Sequence, residues 1–422
     1  MKVLVLGGYG LIGAEVVRQL HDAGHSVVGL GRNTGQAARR FPEVLWIAAD
    51  LAHLNRDSAW EPILRQTAPD AIVNCAGVLQ DGVRDDVVRV QATAMRALYV
   101  AALALGVRRF VQISAAGANL HSPLMFLRSK GEADQALQAS TLDWVILRPG
   151  LVIGPQAYGG TALLRALAVV PMVQPVAYAD SRVQTVAAGD VAAAVVLALG
   201  DRVPMRRVYD LVEDEAHRLA DVLRPPRRMS EMVVRLAARV ADGLGWLGWR
   251  PPMRTTAMAV LAAGVAGDPG PWREASGQSL ASLRDTLRRM PATVQERWFA
   301  RMFLLKPAAI FALSVFWLVS GLVALANPHS AASVLTSRGG NESLALAAVL
   351  GGAVADIGLG ALILWRDWMP TAARGMVAVT IVYLIGGTLL APDLWIDPLG
   401  PLVKTIPAAL LALIVAALAE DR

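Results

Sequence analysis

The sequence is almost without cysteine: Cys75 stands alone in 422 residues. A single thiol excludes an internal disulfide and any paired-cysteine metal or redox motif, and it fits a reducing, cytosolic setting for the soluble part. No metal site is expected. Charge is scarce too, at 18% of residues against 55% hydrophobic, with a mean hydropathy of +0.45. That is too apolar for soluble domains alone, so part of the chain belongs in lipid. Arginines crowd the span from Arg202 to Arg301, whereas the chain beyond Lys306 holds few charges of either sign. A net charge of +6 and an isoelectric point near 9.8 would suit nucleic acid. No aromatic-interleaved basic motif or recognition helix accompanies them, so nucleic-acid binding is set aside and membrane contact is the better account. The opening MKVLVLGGYG breaks into glycines after a few apolar residues and reads as a buried strand rather than a signal peptide.

Up to about Leu211 short β-rich runs alternate with helical stretches, as a parallel sheet with crossover helices requires. The strand candidates begin at Val3, Ser26, Val44, Ala71, Arg109 and Trp144; helical stretches include Ile12 to His21 and Val87 to Leu105. The expected fold class is therefore α/β, a doubly wound parallel-sheet Rossmann domain over residues 1–220, followed by an all-α four-helix transmembrane bundle over 301–422. Between them, 221–300 reads as an amphipathic helical cap or juxtamembrane linker. Its stretch SEMVVRLAARVADGLGWLGW has an apolar face that suits a membrane surface or a soluble cap equally well.

Beyond Lys306 four apolar runs have the length a bilayer demands: Pro307 to Ala326, Ser343 to Leu364, Ala372 to Ala391 and Leu399 to Ala419. Arg297, Arg301 and Lys306 precede the first; Arg366 and Arg374 lie between the second and third; the loop with Asp393, Trp395 and Asp397 has no basic residue. The positive-inside rule then predicts a multi-pass inner-membrane protein with both termini cytoplasmic.

After the first strand comes Gly7-Gly8-Tyr9-Gly10-Leu11-Ile12-Gly13 and then a helix. Strand, glycine turn and helix in that order form a phosphate cradle, because the turn approaches a pyrophosphate closely and the helix N-terminus offers free N–H groups. An ordinary tight turn is the plain alternative. Asp50-Leu51 follows the third strand, Asn74-Cys75-Ala76-Gly77 the fourth and Ser114 the fifth; Lys130, Arg148-Pro149-Gly150 and Gly154-Pro155 come after them. In this order they resemble the atypical or extended short-chain dehydrogenase/reductase superfamily. The resemblance covers about the first half of the chain. It implies that Asp50 and Leu51 flank an adenine, that Ala76 and Gly77 pass beside the cofactor, and that Pro149 faces the nicotinamide. Relatives that use NAD place an acid at the end of the second strand. Here stand Gly31 and Arg32, and an arginine favours a 2′-phosphate, hence NADP(H) over NAD(H).

One aromatic lacks the group its position calls for. In that superfamily a tyrosine four residues before the lysine handles the proton; here Phe126 precedes Lys130 on one helix face. Two readings stand side by side, and a third has a tyrosine from elsewhere in the chain fill the role. In one, Lys130 holds the ribose of a tightly bound, non-catalytic nucleotide, as in atypical members built into respiratory assemblies. In the other, hydride transfer persists to an enone- or quinone-like acceptor, with Ser114 and Lys130 as the catalytic candidates and Ser114, His121, Tyr158 or Tyr178 as proton donors. Asp190, in VQTVAAGDVAAAV, reads first as a helix N-cap.

The runs ERWFARMFLLKPAAIFALSVFWLVSGL and DPLGPLVKTIPAALLAL resemble the DoxX-like membrane family, found fused to such reductase-like domains and associated with quinone-linked complexes. Asp356 is the one acid deep in an apolar run, where insertion costs about 2.5 to 3.5 kcal/mol. Ala348, Gly352 and Gly360 share its face, which turns it into the bundle. Depth along the helices pairs it with Thr380 and Ser314, with Tyr383 a turn away. Lys404 snorkels outward instead. A proton or quinone-headgroup site and a packed, hydrogen-bonded acid are equally compatible with this pattern. The expected partners are a bilayer, a lipophilic small molecule and a membrane protein complex.

Overall fold

The computed structural model describes residues 1–422 except 84, 157–158, 170–173, 223–225 and 420–422, and the side chains at 174, 226 and 227. The chain divides into two compact units: residues 1–243 with 251–297, and residues 244–250 with 298–422.

The first unit alternates strand and helix: β1 (Lys2–Leu6), α1 (Leu11–Asp22), β2 (Ser26–Gly31), α2 (Thr34–Arg40), β3 (Leu45–Ala48), α3 (Asp57–Thr67), β4 (Ala71–Asn74), α4 (Ala94–Ala104), β5 (Arg109–Ile113), α5 (Met125–Gln138), β6 (Asp143–Pro149), α6 (Ala188–Leu199) and β7 (Arg207–Leu211). The seven strands form one parallel sheet in the order β7-β6-β5-β4-β1-β2-β3. Strands such as KVLVL are apolar throughout because helices cover both faces. On one side α1 and α6 bury Val16, Val17, Leu20 and Val195 against Val5 and Val73; on the other α3, α4 and α5 bury Trp60, Leu98 and Leu137 against Leu4 and Ile72. This is the doubly wound Rossmann arrangement expected. The six strands anticipated are present, and β7 was not anticipated. Its sequence, RVYDL, is short and half polar, yet it pairs with β6 from Arg207↔Val145 to Leu211↔Pro149. Chain order reverses direction between β1 and β4, so the C-terminal ends of those two strands open a crevice.

A helix α7 (Glu231–Trp246) then leads to α8 (Val294–Ala326), α9 (Glu342–Leu362), α10 (Met369–Leu390) and α11 (Thr405–Ala417). The first three of the last four are long and apolar enough to cross a membrane. The fourth apolar run departs from expectation. It is helical over only 13 residues, about 20 Å at 1.5 Å per residue against a hydrocarbon core of about 30 Å. Gly400 with φ +59° and the turn after it take up the start of that run. Lys306 Nζ donates to the Leu418 carbonyl at 2.7 Å, so the start of the apolar stretch of α8 and the end of α11 lie at one end of this unit. Arg338 grips Asp393 with two hydrogen bonds, joining two loops.

Candidate nucleotide-binding site

The glycine turn is shaped by what a side chain would strike. Gly7 has φ +67°, and a Cβ there would stand 2.9 Å from the Ala76 Cα; at Gly13 it would stand 2.1 Å from the Gly7 carbonyl oxygen. Gly10 donates its N–H to the Gly7 carbonyl at 2.9 Å, closing the turn. The first helical bond of α1 runs from Ala14 N–H to Gly10, no side chain caps this end, and the amides of Leu11, Ile12 and Gly13 therefore precede the ladder. A bare turn with forward-facing amides, at the crevice between β1 and β4, fits a dinucleotide pyrophosphate.

Tyr9, inside the turn, lies over β2. A Cβ on Gly31 would come within 2.3 Å of its ring, and its hydroxyl accepts from the Arg32 and Asn33 amides, both at 3.1 Å. Tyr9 thus pins the loop that carries Arg32. The Arg32 guanidinium pairs with Asp85 at 2.8 Å. Burial would lower its pKa, but the Asp85 carboxylate, together with Asp50 and Tyr9, holds it raised. Asp50 accepts from the Ala52 amide at 3.0 Å and so fixes the short turn that buries Leu51.

At the other side of the crevice, Asn74 accepts from the Ala76 amide and donates to Gln112, each at 3.0 Å, which positions the Ala76-Gly77 strand end. Lys130, on α5, is buried and donates to the Ile113 carbonyl at 2.9 Å; a Cβ on Gly77 would sit 3.3 Å from its Nζ. Burial pushes its pKa down to about 8, against the raising pull of Asp134. Ser114, the next residue after Ile113, donates to Asp134 at 2.8 Å, and Arg148 holds the same carboxylate oxygen at 2.9 and 3.0 Å. Burial pushes the Asp134 carboxyl up, while Arg148 and Ser114 pull it back. Pro149 is buried where β6 ends. Burial pushes the Cys75 thiol up to about 12, against the lowering pull of Lys130.

Of the proton donors considered, His121 is exposed on a loop, Tyr178 packs among Val234 and Met258, and Tyr158 lies outside the described residues. Phe126 is half-buried and its carbonyl accepts from the Ser129 hydroxyl at 3.0 Å. Asp190 corrects the sequence reading. It sits in the first turn of α6, whose cap residue is Ala187, and its carboxylate accepts instead from the Ala281 amide at 3.0 Å. Among the described residues no cluster of His, Cys, Asp and Glu could hold a metal ion.

Residues 3–211 match the model of the NAD dependent epimerase/dehydratase family, and residues 314–414 that of the DoxX-like family. The chain is an epimerase/dehydratase-like Rossmann domain joined to a DoxX-like domain. It is 34% identical over 149 residues to an NAD(P)H azoreductase of Xenophilus azovorans, a match spanning 35% of this chain and 47% of the azoreductase. It is 27% identical over 146 residues to the mitochondrial NADH dehydrogenase (ubiquinone) 1 alpha subcomplex subunit 9 of Arabidopsis thaliana, over 33% of this chain and 36% of that one. The chain therefore spans about half or less of these two relatives. The Bordetella bronchiseptica enzyme WbmG, solved in complex with NAD, shares the fold at TM-score 0.51 and 19% identity, over 68% of this chain and 92% of that one.

In the DoxX-like domain Asp356 is buried, as its helical face implied. Its partners are Tyr383, donating at 2.8 Å, and Ser320, donating at 2.9 Å. Two expected partners are corrected: Thr380 donates to its own helix at the Met376 carbonyl and Ser314 to the Gly360 carbonyl, both at 2.7 Å. Tight helix contact selects the pair that does bond. A Cβ on Gly321 would stand 2.6 Å from the Ala353 carbonyl, and one on Gly352 would stand 2.8 Å from the Tyr383 hydroxyl. In the epimerase-like domain, sequence reasoning missed Tyr9, Asp85 and Asp134. Asp134 alone carried a signal, one helical turn after Lys130 on the same face.

Proposed function

We propose that the protein is a membrane-anchored NADP(H)-dependent reductase of a lipophilic, quinone-like substrate at the cytoplasmic face of an inner membrane. Gly7, Gly10, Leu11, Ile12 and Gly13 would hold the pyrophosphate, Asp50 and Leu51 the adenine side, Arg32 the 2′-phosphate, and Ala76, Gly77, Lys130 and Pro149 the nicotinamide half. When bound, the nucleotide would supply hydride. The observation that carries the reading is Lys130, a buried amine held at the crevice with its pKa drawn down to about 8. An amine so placed can bond a ribose and deliver a proton near neutral pH, the task for which Phe126 has no hydroxyl. Ser114 assists by fixing Asp134, whose carboxylate supports the charged form of Lys130. The likeness to a relative named NAD(P)H azoreductase supports reduction by a nicotinamide nucleotide. In the membrane, Asp356 and Tyr383 would form a polar site for a proton or a quinone headgroup, with Thr380 beside it on the same helix.

A second reading is supported by Phe126 itself and by the likeness to an NADH dehydrogenase subunit. In it the nucleotide is held, not turned over, and stabilises a membrane complex. Protein purified in mild detergent, assayed for NADPH binding and for NADPH oxidation with a soluble quinone, separates the two. Turnover that Lys130→Ala lowers by about tenfold or more supports the reductase. Tight binding with no oxidation by any acceptor would favour the holding role.

A further inference from the structure

Helix α7 has two apolar faces, and only one is used within its own unit. Val234, Ala238 and Ala241 are buried, packing toward Met258, Tyr178 and Leu261. About 165° around the helix, Met232, Leu236 and Val240 stand exposed at 74%, 65% and 58%, with Val233 and Leu244 beside them. Steps of four residues align these side chains into one continuous stripe. Arg235 and Arg239 border one edge of the stripe and are themselves exposed, and Trp246 ends that edge at 76% exposure. An uninterrupted apolar stripe edged by arginines and closed by a tryptophan is the pattern of a helix lying in a lipid headgroup layer.

The chain at the end of α7 identifies the apolar medium at hand. Residues 244–250 belong to the membrane unit. There the Leu247 carbonyl accepts from the Arg366 amide at 3.0 Å, and the Trp249 indole donates to the Leu364 carbonyl at 2.6 Å. Leu364 and Arg366 form the loop between α9 and α10, two helices long and apolar enough to cross a membrane. The chain that ends α7 is thus hydrogen-bonded to the rim of the membrane helices, at the loop that Arg366, with Arg374 just inside α10, marks as cytoplasmic under the positive-inside rule.

We propose that the Met232–Leu236–Val240 stripe of α7 inserts into the lipid headgroup layer, with Arg235 and Arg239 on lipid phosphates. The protein then holds the membrane by an interfacial helix as well as by its spans. This anchoring is independent of whether the nucleotide domain reduces anything.

The test uses the full chain in phosphatidylcholine–phosphatidylglycerol nanodiscs, with nitroxide labels placed singly at Met232→Cys, Leu236→Cys, Val240→Cys and Arg239→Cys in a Cys75→Ala background. Arg65→Cys on α3, exposed and far in sequence from the stripe, is the reference. Collision with dissolved oxygen and with a water-soluble nickel chelate is read by continuous-wave paramagnetic resonance. The expected result is an oxygen-to-nickel ratio about fivefold higher at 232, 236 and 240 than at 65, with 239 in between. Ratios equal to that of Arg65→Cys would overturn the proposal. Shielding from both reagents would also overturn it, since protein rather than lipid would then cover the stripe. All labelled positions are exposed, so the variants are expected to fold, and matched thermal melts confirm that each label reports the native state.

Discussion

Lys130 is where residue chemistry and proposed function meet. Its ordinary value is 10.5 and burial brings it to about 8 in the folded protein. Because the shift is downward, the folded protein releases this proton before the unfolded chain does. The cost of burying the charge is therefore fully present below pH about 8, and it fades as pH rises towards 10.5. NADPH affinity has the opposite sense if the ammonium is the ribose donor: it begins to fall as pH rises past about 8. Titration calorimetry between pH 6.5 and 9.5 is expected to show this fall in the wild type and a flat profile in Lys130→Met. Arg32 supports a separate prediction. Arg32→Ala should weaken NADPH by about tenfold while leaving NADH within about twofold, because only the 2′-phosphate loses a charge-assisted partner. An equal loss for both nucleotides would assign Arg32 to holding the Asp85 loop instead. In the membrane, Asp356→Asn keeps size and loses charge, so loss of quinone-linked NADPH oxidation with unchanged NADPH affinity would support a working polar site. Full retention would leave Asp356 as a packing residue bonded to Tyr383 and Ser320.

Among elements, the glycine turn is the least tolerant. Gly13→Ala must move the Gly7 carbonyl, 2.1 Å from the new Cβ, and is expected to cost about 2 kcal/mol or more and abolish NADPH binding. Thermal unfolding with and without NADPH checks both effects. This turn was legible because its geometry is local: positive φ, a close carbonyl and a helix start all lie within seven residues. A second junction was not legible. Glu213 is buried, and its carboxylate accepts from the Thr185 amide at 2.8 Å, from the Thr185 hydroxyl at 2.5 Å and from the Leu283 amide at 2.7 Å. It also faces His217 Nε2 at 3.1 Å. Glu213→Ala strands two backbone donors and should destabilise the first unit by about 2 to 4 kcal/mol, read as a lower Tm. Apart from His217 four residues on, nothing in the sequence around Glu213 marks it, since its backbone donors come from segments that meet only through folding. Asp190 behaves in the same way. Its place near a helix start suggested a cap, but the amide that claims it belongs to Ala281.

At the scale of the whole molecule, the bond between Lys306 and Leu418 brings the start of the apolar stretch of α8 and the end of α11 together. We therefore expect reporters fused at Met1 and after Arg422 to face the cytoplasm together, with α11 and its flanking apolar residues making the last crossing. A paired phosphatase and fluorescent-protein fusion assay checks this, and a C-terminal reporter active outside would mean three crossings. Arg338, the arginine in the loop before α9, is neutralised by Asp393, so it weighs little against the basic flanks at Arg297, Arg301, Arg366 and Arg374.

The sequence by itself determined the two-part architecture, the apolar strands of the sheet, the glycine turn and the inward face of Asp356. Each of these is a matter of local spacing or of hydrophobic period, which the chain carries wherever it goes. Tertiary structure alone decided that Ser114 and Arg148 share Asp134, that Arg32 meets Asp85, that β7 closes the sheet, and that Asp356 bonds Ser320 rather than Ser314 or Thr380. Those partners depend on where helices cross and how closely their backbones approach, quantities set by glycines such as Gly321 and Gly352 acting across the fold rather than along the sequence.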